Sequence, residues 1–151
     1  MPIAIRSDKI ILSSEKETEK LANKFLKILK PRNVVFLYGE IGVGKTTFIR
    51  HLINIFQKKN KIELTEVNSP TFNLLNEYEI EKINIYHYDL FRLKSSLDLK
   101  NLDIFKDSSS SIILIEWPQI IDKKPKNLIE LIFSYEKDYE KRSVEIKGLN
   151  L

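Results

Sequence analysis

The sequence predicts an α/β fold, a three-layer domain built on a mixed central sheet. Three observations predict it. Short apolar runs rich in β-branched residues, Val34-Val35-Phe36-Leu37 and Ile112-Ile113-Leu114-Ile115, read as strands buried on both faces. Two longer stretches carry apolar residues at helical spacing: Leu21, Phe25, Leu26 and Leu29 in one, and Phe48, Ile49, Leu52, Ile53 and Phe56 in the other. Strands, helices and strands then follow one another in an order that suits helices packed on a sheet.

Each element has its own local signal. Lys9 to Leu12 reads as a short strand. Ser14-Glu15-Lys16-Glu17 has the Ser-x-x-Glu form of a capping box, which predicts a helix from there to about Lys30. Pro31 and Asn33 stop it. The strand Val34–Leu37 leads into a glycine-rich loop, and a second helix is expected from Lys45 to about Lys58. Thr71 to Ile80 suits a strand, with a turn near Glu81-Lys82 and a second strand from Ile83 to Tyr88. This pair is expected as a hairpin lying antiparallel to the rest. Ser95 to Phe105 reads as helical, broken near Asn101. Leu128–Tyr135 and Ser143–Lys147 read as closing strands.

Composition bounds the class. The 151 residues suit one domain over 1–151 with a core of its own. There is no cysteine, which excludes disulfides and thiolate metal sites and fits a reducing compartment. The opening MPIAIRSDKI lacks the apolar core of a secretory leader. The longest aliphatic run, Ile112–Ile115, is far too short for a bilayer. A cytoplasmic protein with no membrane association is the expectation. Formal net charge is +4, and only five of the 25 basic residues are arginine. The clusters Lys58-Lys59-Asn60-Lys61 and Lys123-Lys124-Pro125-Lys126 read first as solvated loops and second as nucleic-acid contacts.

The chain has four glycines, and three of them, Gly39, Gly42 and Gly44, fall within GEIGVGKT. Gly39-x-x-x-x-Gly44-Lys45-Thr46 is a complete Walker A motif, with a strand before it and a helix after it. Glycines let the backbone approach a phosphate, and successive N–H groups form an anion nest. The helix N-terminus adds a partial positive charge at the same place. Gly39, Gly42, Val43, Gly44, Lys45, Thr46 and Thr47 are therefore the predicted phosphate-binding residues. Lys45 is expected to reach the β- and γ-phosphates, and Thr46 to offer its hydroxyl to Mg²⁺. The domain is thus expected to be of the P-loop NTPase type, taking ATP and Mg²⁺.

Such a site needs acids. Asp89 ends one predicted strand and Glu116 ends another, where active sites of parallel sheets lie. Either can ligate Mg²⁺, directly or through water, or orient an attacking water; either can instead cap the following turn. Ser69-Pro70-Thr71 reads equally as a turn or as a switch-like segment that senses the γ-phosphate. His51 and His87 stand without a second histidine nearby, and Trp117 reads as core or partner surface. No Asp-x-x-Gly follows the loop, since the only later glycine is Gly148, and the nearest Asn-Lys string, Asn60-Lys61-Ile62-Glu63, has the wrong acid for guanine. After Lys45 only Arg50, Arg92 and Arg142 remain, too few for a nucleotide-kinase lid. A small ATPase that depends on a partner is the first reading. A small-molecule kinase and a non-catalytic nucleotide-gated binding module are the alternatives.

Four segments taken together, GEIGVGKTTFIR (39–50), NSPTFNLLNEY (68–78), IYHYDLFRL (85–93) and ILIEWPQ (113–119), resemble the TsaE family in order and spacing. The likeness covers roughly residues 10 to 135. It implies an ATPase of bacterial tRNA threonylcarbamoyladenosine synthesis, the modification of adenosine 37 in tRNAs reading ANN codons. It implies ATP hydrolysis on Mg²⁺ that supports a complex of TsaB and TsaD, with tRNA reached through that complex. Carried over to this chain, Gly42 to Thr47 cradle the phosphates and Thr46 and Glu116 hold Mg²⁺. Asp89 joins the metal or water shell, Thr71 lies in the switch-like segment, Trp117 lies near the nucleotide, and the Ser14–Thr18 region touches the base. Lys45, Glu116, Asp89 and Thr71 are the implied catalytic set. The family's loop usually reads Gly-Asp-Leu-Gly-Ala-Gly, against Gly39-Glu40-Ile41-Gly42-Val43-Gly44 here. A glycine common before the IEWP strand is absent; Asn101 or Leu102 occupies its region.

Overall fold

A computed structural model describes residues 8–105, 109–137 and 139–148. Most of the opening segment read above for a leader, residues 1–7, lies outside the described residues. Among the described residues, seven strands form one sheet in the order β1-β7-β6-β2-β5-β4-β3. In chain order the elements are β1 (Asp8–Leu12), α1 (Glu15–Ile28), β2 (Val34–Tyr38), α2 (Lys45–Lys59), β3 (Leu75–Ile80), β4 (Ile83–Asp89), α3 (Ser96–Lys100), β5 (Ser111–Glu116), β6 (Leu128–Tyr135) and β7 (Arg142–Lys147). A single 3₁₀ turn, Pro118–Ile120, follows β5.

The centre of the sheet is parallel: β2 lies between β5 and β6, and β4 pairs with β5. The flanks are antiparallel, with β1 on β7, β7 on β6 and β3 on β4. The sheet is therefore mixed, as expected. The hairpin differs from expectation: β3, at the sheet edge, runs antiparallel to its one neighbour β4, whereas β4 lies parallel to β5. That orientation brings the carboxyl ends of β2, β4 and β5 to one edge.

Side-chain alternation builds the three layers. Val35, Leu37, Ile112, Leu114, Ile129 and Leu131 face α1 and α2, where they meet Leu21, Phe25, Phe48, Ile49, Leu52 and Ile53. Val34, Phe36, Ile113 and Ile115 face the other way and are covered by Tyr88, Leu90, Ile104 and residues of α3 and the 3₁₀ turn. Phe48, in the first turn of α2, packs edge-on against Phe25 of α1 at 5.4 Å and Phe133 of β6 at 6.0 Å. Such pairs add about 0.5–1.5 kcal/mol each beyond area burial. They clamp the helix end that carries Lys45 and Thr46.

Four local expectations are corrected. The capping box does not close: Ser14 is the N-cap, but its side chain makes no cap bond, and the Glu17 side chain turns to Lys20 instead. Helix α1 ends at Ile28, short of Lys30, because a residue before proline avoids helical geometry; the Lys30 N–H is taken by the Asn33 side chain at 2.8 Å. The strand expected from Thr71 begins only at Leu75. Leu74 has φ 68°, its N–H donates to the Pro70 carbonyl at 2.7 Å, and the residues before it form a turn. Helix α3 stops at Lys100, where the break near Asn101 was expected, and does not resume in 101–105. No helix of the described residues is long and apolar enough to cross a membrane.

Candidate functional site

The glycine loop leaves β2 at the centre of the sheet and turns into α2. The backbone is left-handed at Gly44, the residue before the helix, with φ 117°. A side chain there has room but not the conformation. Gly39 fails on both counts: a Cβ would lie 2.7 Å from Val43 Cγ1 and 2.9 Å from the Phe133 carbonyl oxygen.

The loop, the end of β4 and the end of β5 enclose a cleft of about 340 Å³. Gly42, Gly44, Lys45, Thr46, Thr47, Thr71, Asp89 and Glu116 all line it, so most of the predicted set converges. Gly39 and Val43 do not line this cleft. Gly39 faces the neighbouring hollow beside β6, and Val43 is buried with its N–H donated to the Glu40 carbonyl at 3.2 Å. Ser14, Glu15 and Thr18 line a smaller cavity of about 120 Å³ against Gly42, Gly44 and Thr47, which places the Ser14–Thr18 region beside the loop.

Strand register sets the two acids side by side, since Asp89 and Glu116 are paired residues of β4 and β5. Both are almost wholly buried. The Thr46 hydroxyl donates to Glu116 Oε1 at 3.0 Å and Oε2 at 3.2 Å. Asp89 Oδ2 accepts from the Ser69 hydroxyl at 2.6 Å and the Thr71 hydroxyl at 3.2 Å, and Oδ1 accepts the Phe91 N–H at 3.0 Å. Asp89 thus gathers the 69–71 turn. A buried carboxylate needs such donors.

Lys45 is nearly fully buried. Its ammonium donates to the Gly39 carbonyl and lies 3.6 Å from the centre of the Trp117 ring. Burial pushes its pKa below the ordinary lysine value, while the charges of Glu116 and Asp89 act in the opposite direction. Trp117, at φ 57°, is held by its N–H on the Leu37 carbonyl at 3.3 Å, and its ring also meets Phe91 at 4.8 Å. Chemically, the cleft combines a lysine ammonium, a helix N-terminus and two oriented carboxylates. The first two attract phosphate, and the hydroxyl–carboxylate pair is a hard-oxygen set of the kind that suits Mg²⁺.

Two residues escaped the sequence reading. His87 is fully buried and its Nε2 lies 2.7 Å from Glu116 Oε2. Arg142 of β7 reaches over the loop to the Gly42 carbonyl at 3.5 Å. The signal for His87 was available: it stands two residues before Asp89 on a strand, hence on the same face. Nothing in the sequence brings Arg142 to the loop, because β7 joins the sheet through antiparallel pairing with β6.

Comparison with known proteins shows the family. The family described as "Threonylcarbamoyl adenosine biosynthesis protein TsaE" matches residues 12–144. The tRNA threonylcarbamoyladenosine biosynthesis protein TsaE of Rickettsia prowazekii is 46% identical over 110 residues, covering 73% of this chain and 74% of that protein. The Aquifex aeolicus protein of the same name is 36% identical over 137 residues, covering 91% and 93%. The fold is similar to the crystal structure of Bacillus subtilis YdiB, with a TM-score of 0.73 over 99% of this chain and 90% of that one, at 22% identity. This chain belongs to the TsaE family of tRNA threonylcarbamoyladenosine biosynthesis.

Proposed function

We propose that the chain binds ATP with Mg²⁺ in the cleft between the glycine loop and the ends of β4 and β5. It hydrolyses ATP there and so supports a TsaB–TsaD complex in threonylcarbamoylation of adenosine 37 of tRNA, in the cytoplasm. The observation that carries the reading is the contact of Thr46 with Glu116 at the lip of a Walker A loop. In this reading Gly42, Gly44 and Thr47 hold the phosphates by backbone N–H groups, and Lys45 leaves the Trp117 face for the β- and γ-phosphates. Thr46 and Glu116 would hold Mg²⁺, which when bound neutralises charge developing on the phosphate oxygens. Asp89 would join the metal or water shell, and its bonds to the Ser69 and Thr71 hydroxyls would order that turn beside the phosphates. Both acids are buried at the base of the cleft, where charge interactions are stronger than in bulk water.

The test is phosphate release from ATP by the chain alone and with its TsaB and TsaD. Slow release alone and strong stimulation by the pair support the proposal. Phosphate appearing on an added acceptor instead of in water would favour a kinase. Docking that needs ATP but persists unchanged without hydrolysis would favour a binding module.

A further inference from the structure

We infer that His87 is a positioning residue that fixes the Glu116 carboxylate for its meeting with Thr46. The inference rests on the ATP and Mg²⁺ reading above. β4 points His87 and Asp89 to one sheet face, and the His87 ring is 0% exposed. Its strand neighbour on that face, Ile85, belongs to the apolar core, as do Ile112 and Leu114 of β5. An aliphatic side chain would suit such a place better than imidazole. The ring makes one hydrogen bond there, Nε2 to Glu116 Oε2 at 2.7 Å, and its Nδ1 is buried without a partner. A ring protonated on Nε2 donates to the carboxylate and leaves Nδ1 as a bare acceptor.

The bond breaks the symmetry of Glu116. The Thr46 hydrogen is shared between both oxygens and so does not by itself hold the carboxylate plane. His87 adds a second donor to Oε2 only. Oε1, with the lighter load, is then the oxygen left to face a cation or water. Partners that orient a ligand in this way usually change metal affinity or activity about 10–100-fold when removed.

The test compares His87→Leu, His87→Asn and His87→Gln with the parent chain. ATP binding is titrated in EDTA and in excess Mg²⁺, by calorimetry and by fluorescence of Trp117, the only tryptophan. Thermal unfolding confirms that each variant folds. The glutamine amide reaches the position of Nε2, whereas the asparagine amide stops a methylene short. In EDTA all four bind alike. Magnesium tightens binding in the parent and in His87→Gln, and about tenfold less in His87→Leu and His87→Asn. Undiminished tightening in Leu and Asn, or a Gln variant as impaired as Leu, would overturn the inference. If His87→Leu fails to fold, the Gln–Asn pair decides alone. A parent chain with no Mg²⁺-dependent ATP binding would instead refute the ATP reading itself.

Discussion

The Thr46 hydroxyl, in the first turn of α2, donates to both oxygens of Glu116 at the end of β5, seventy residues away. Two distant elements are joined at the point where helix dipole and sheet edge meet. Thr46→Val keeps the shape and removes the donor. It should cost about 1–3 kcal/mol of stability through the under-satisfied carboxylate. It should also lower Mg²⁺-dependent ATP turnover by about 10–100-fold. Urea unfolding and a magnesium titration of turnover check the two effects separately.

Lys45→Ala should abolish productive ATP binding while leaving a folded protein. Loss of the stack on Trp117 costs about 0.5–2 kcal/mol. Relief of a buried ammonium, whose pKa burial already lowers, offsets part of that. Calorimetry with ATP and Mg²⁺ should show binding weakened at least about a hundredfold, as expected for a lost charge-assisted contact. The unfolding temperature should move by only a few degrees.

The loop glycines differ in kind. Gly39→Ala meets Val43 and the Phe133 carbonyl at a backbone φ of 144°, so crowding and strain add. A loss of about 2–4 kcal/mol is expected. At Gly44 the space is open, the nearest atom being Arg142 Cδ at 3.9 Å, and only the left-handed backbone penalises alanine. About 1–2 kcal/mol should be lost there. Denaturant midpoints for the two variants, measured without nucleotide, test the ranking.

Glu15 ties the first turn of α1 to α2, accepting from Arg50 at 2.7 Å and bonding His51 at 3.0 Å. Hydrogen bonds from His51 and then Arg50 hold its carboxyl below the ordinary value of 4.5. A lowered carboxyl contributes stability above pH 4.5 and loses it as pH falls through the lowered value. The pair is exposed, so solvent screening keeps its worth below about 1 kcal/mol. Glu15→Gln should therefore be slightly less stable than the parent at pH 7, with the deficit shrinking as pH falls below 4.5. Paired urea curves across that pH range measure this.

The loop and its acids were legible because their signals are local. A glycine spacing between strand and helix, and an acid ending an apolar strand, need no knowledge of the rest of the chain. The mixed α/β sheet followed from the same patterns. Most of what sequence missed depends on distant partners. Thr71 lies in a turn closed by Leu74 on the Pro70 carbonyl, and its hydroxyl meets Asp89, eighteen residues on. The Ser14 capping box stays open, with Glu17 turned to Lys20. β4 pairs in parallel with β5, a choice that periodicity cannot express. His87 was set aside as a lone histidine because its partner is a carboxylate on the next strand, invisible without the register.

The most direct test of the account is phosphate release from ATP and Mg²⁺ by Glu116→Ala beside the parent chain, both with TsaB and TsaD present. The account predicts that the variant still binds ATP in EDTA, loses at least as much of the tightening by Mg²⁺ as His87→Leu does, and releases phosphate at least about 100-fold more slowly, beyond the roughly 10–100-fold lost with a partner that only orients a metal ligand. Turnover at the parent rate would contradict the role of Glu116, and with it the meaning given to its contact with Thr46.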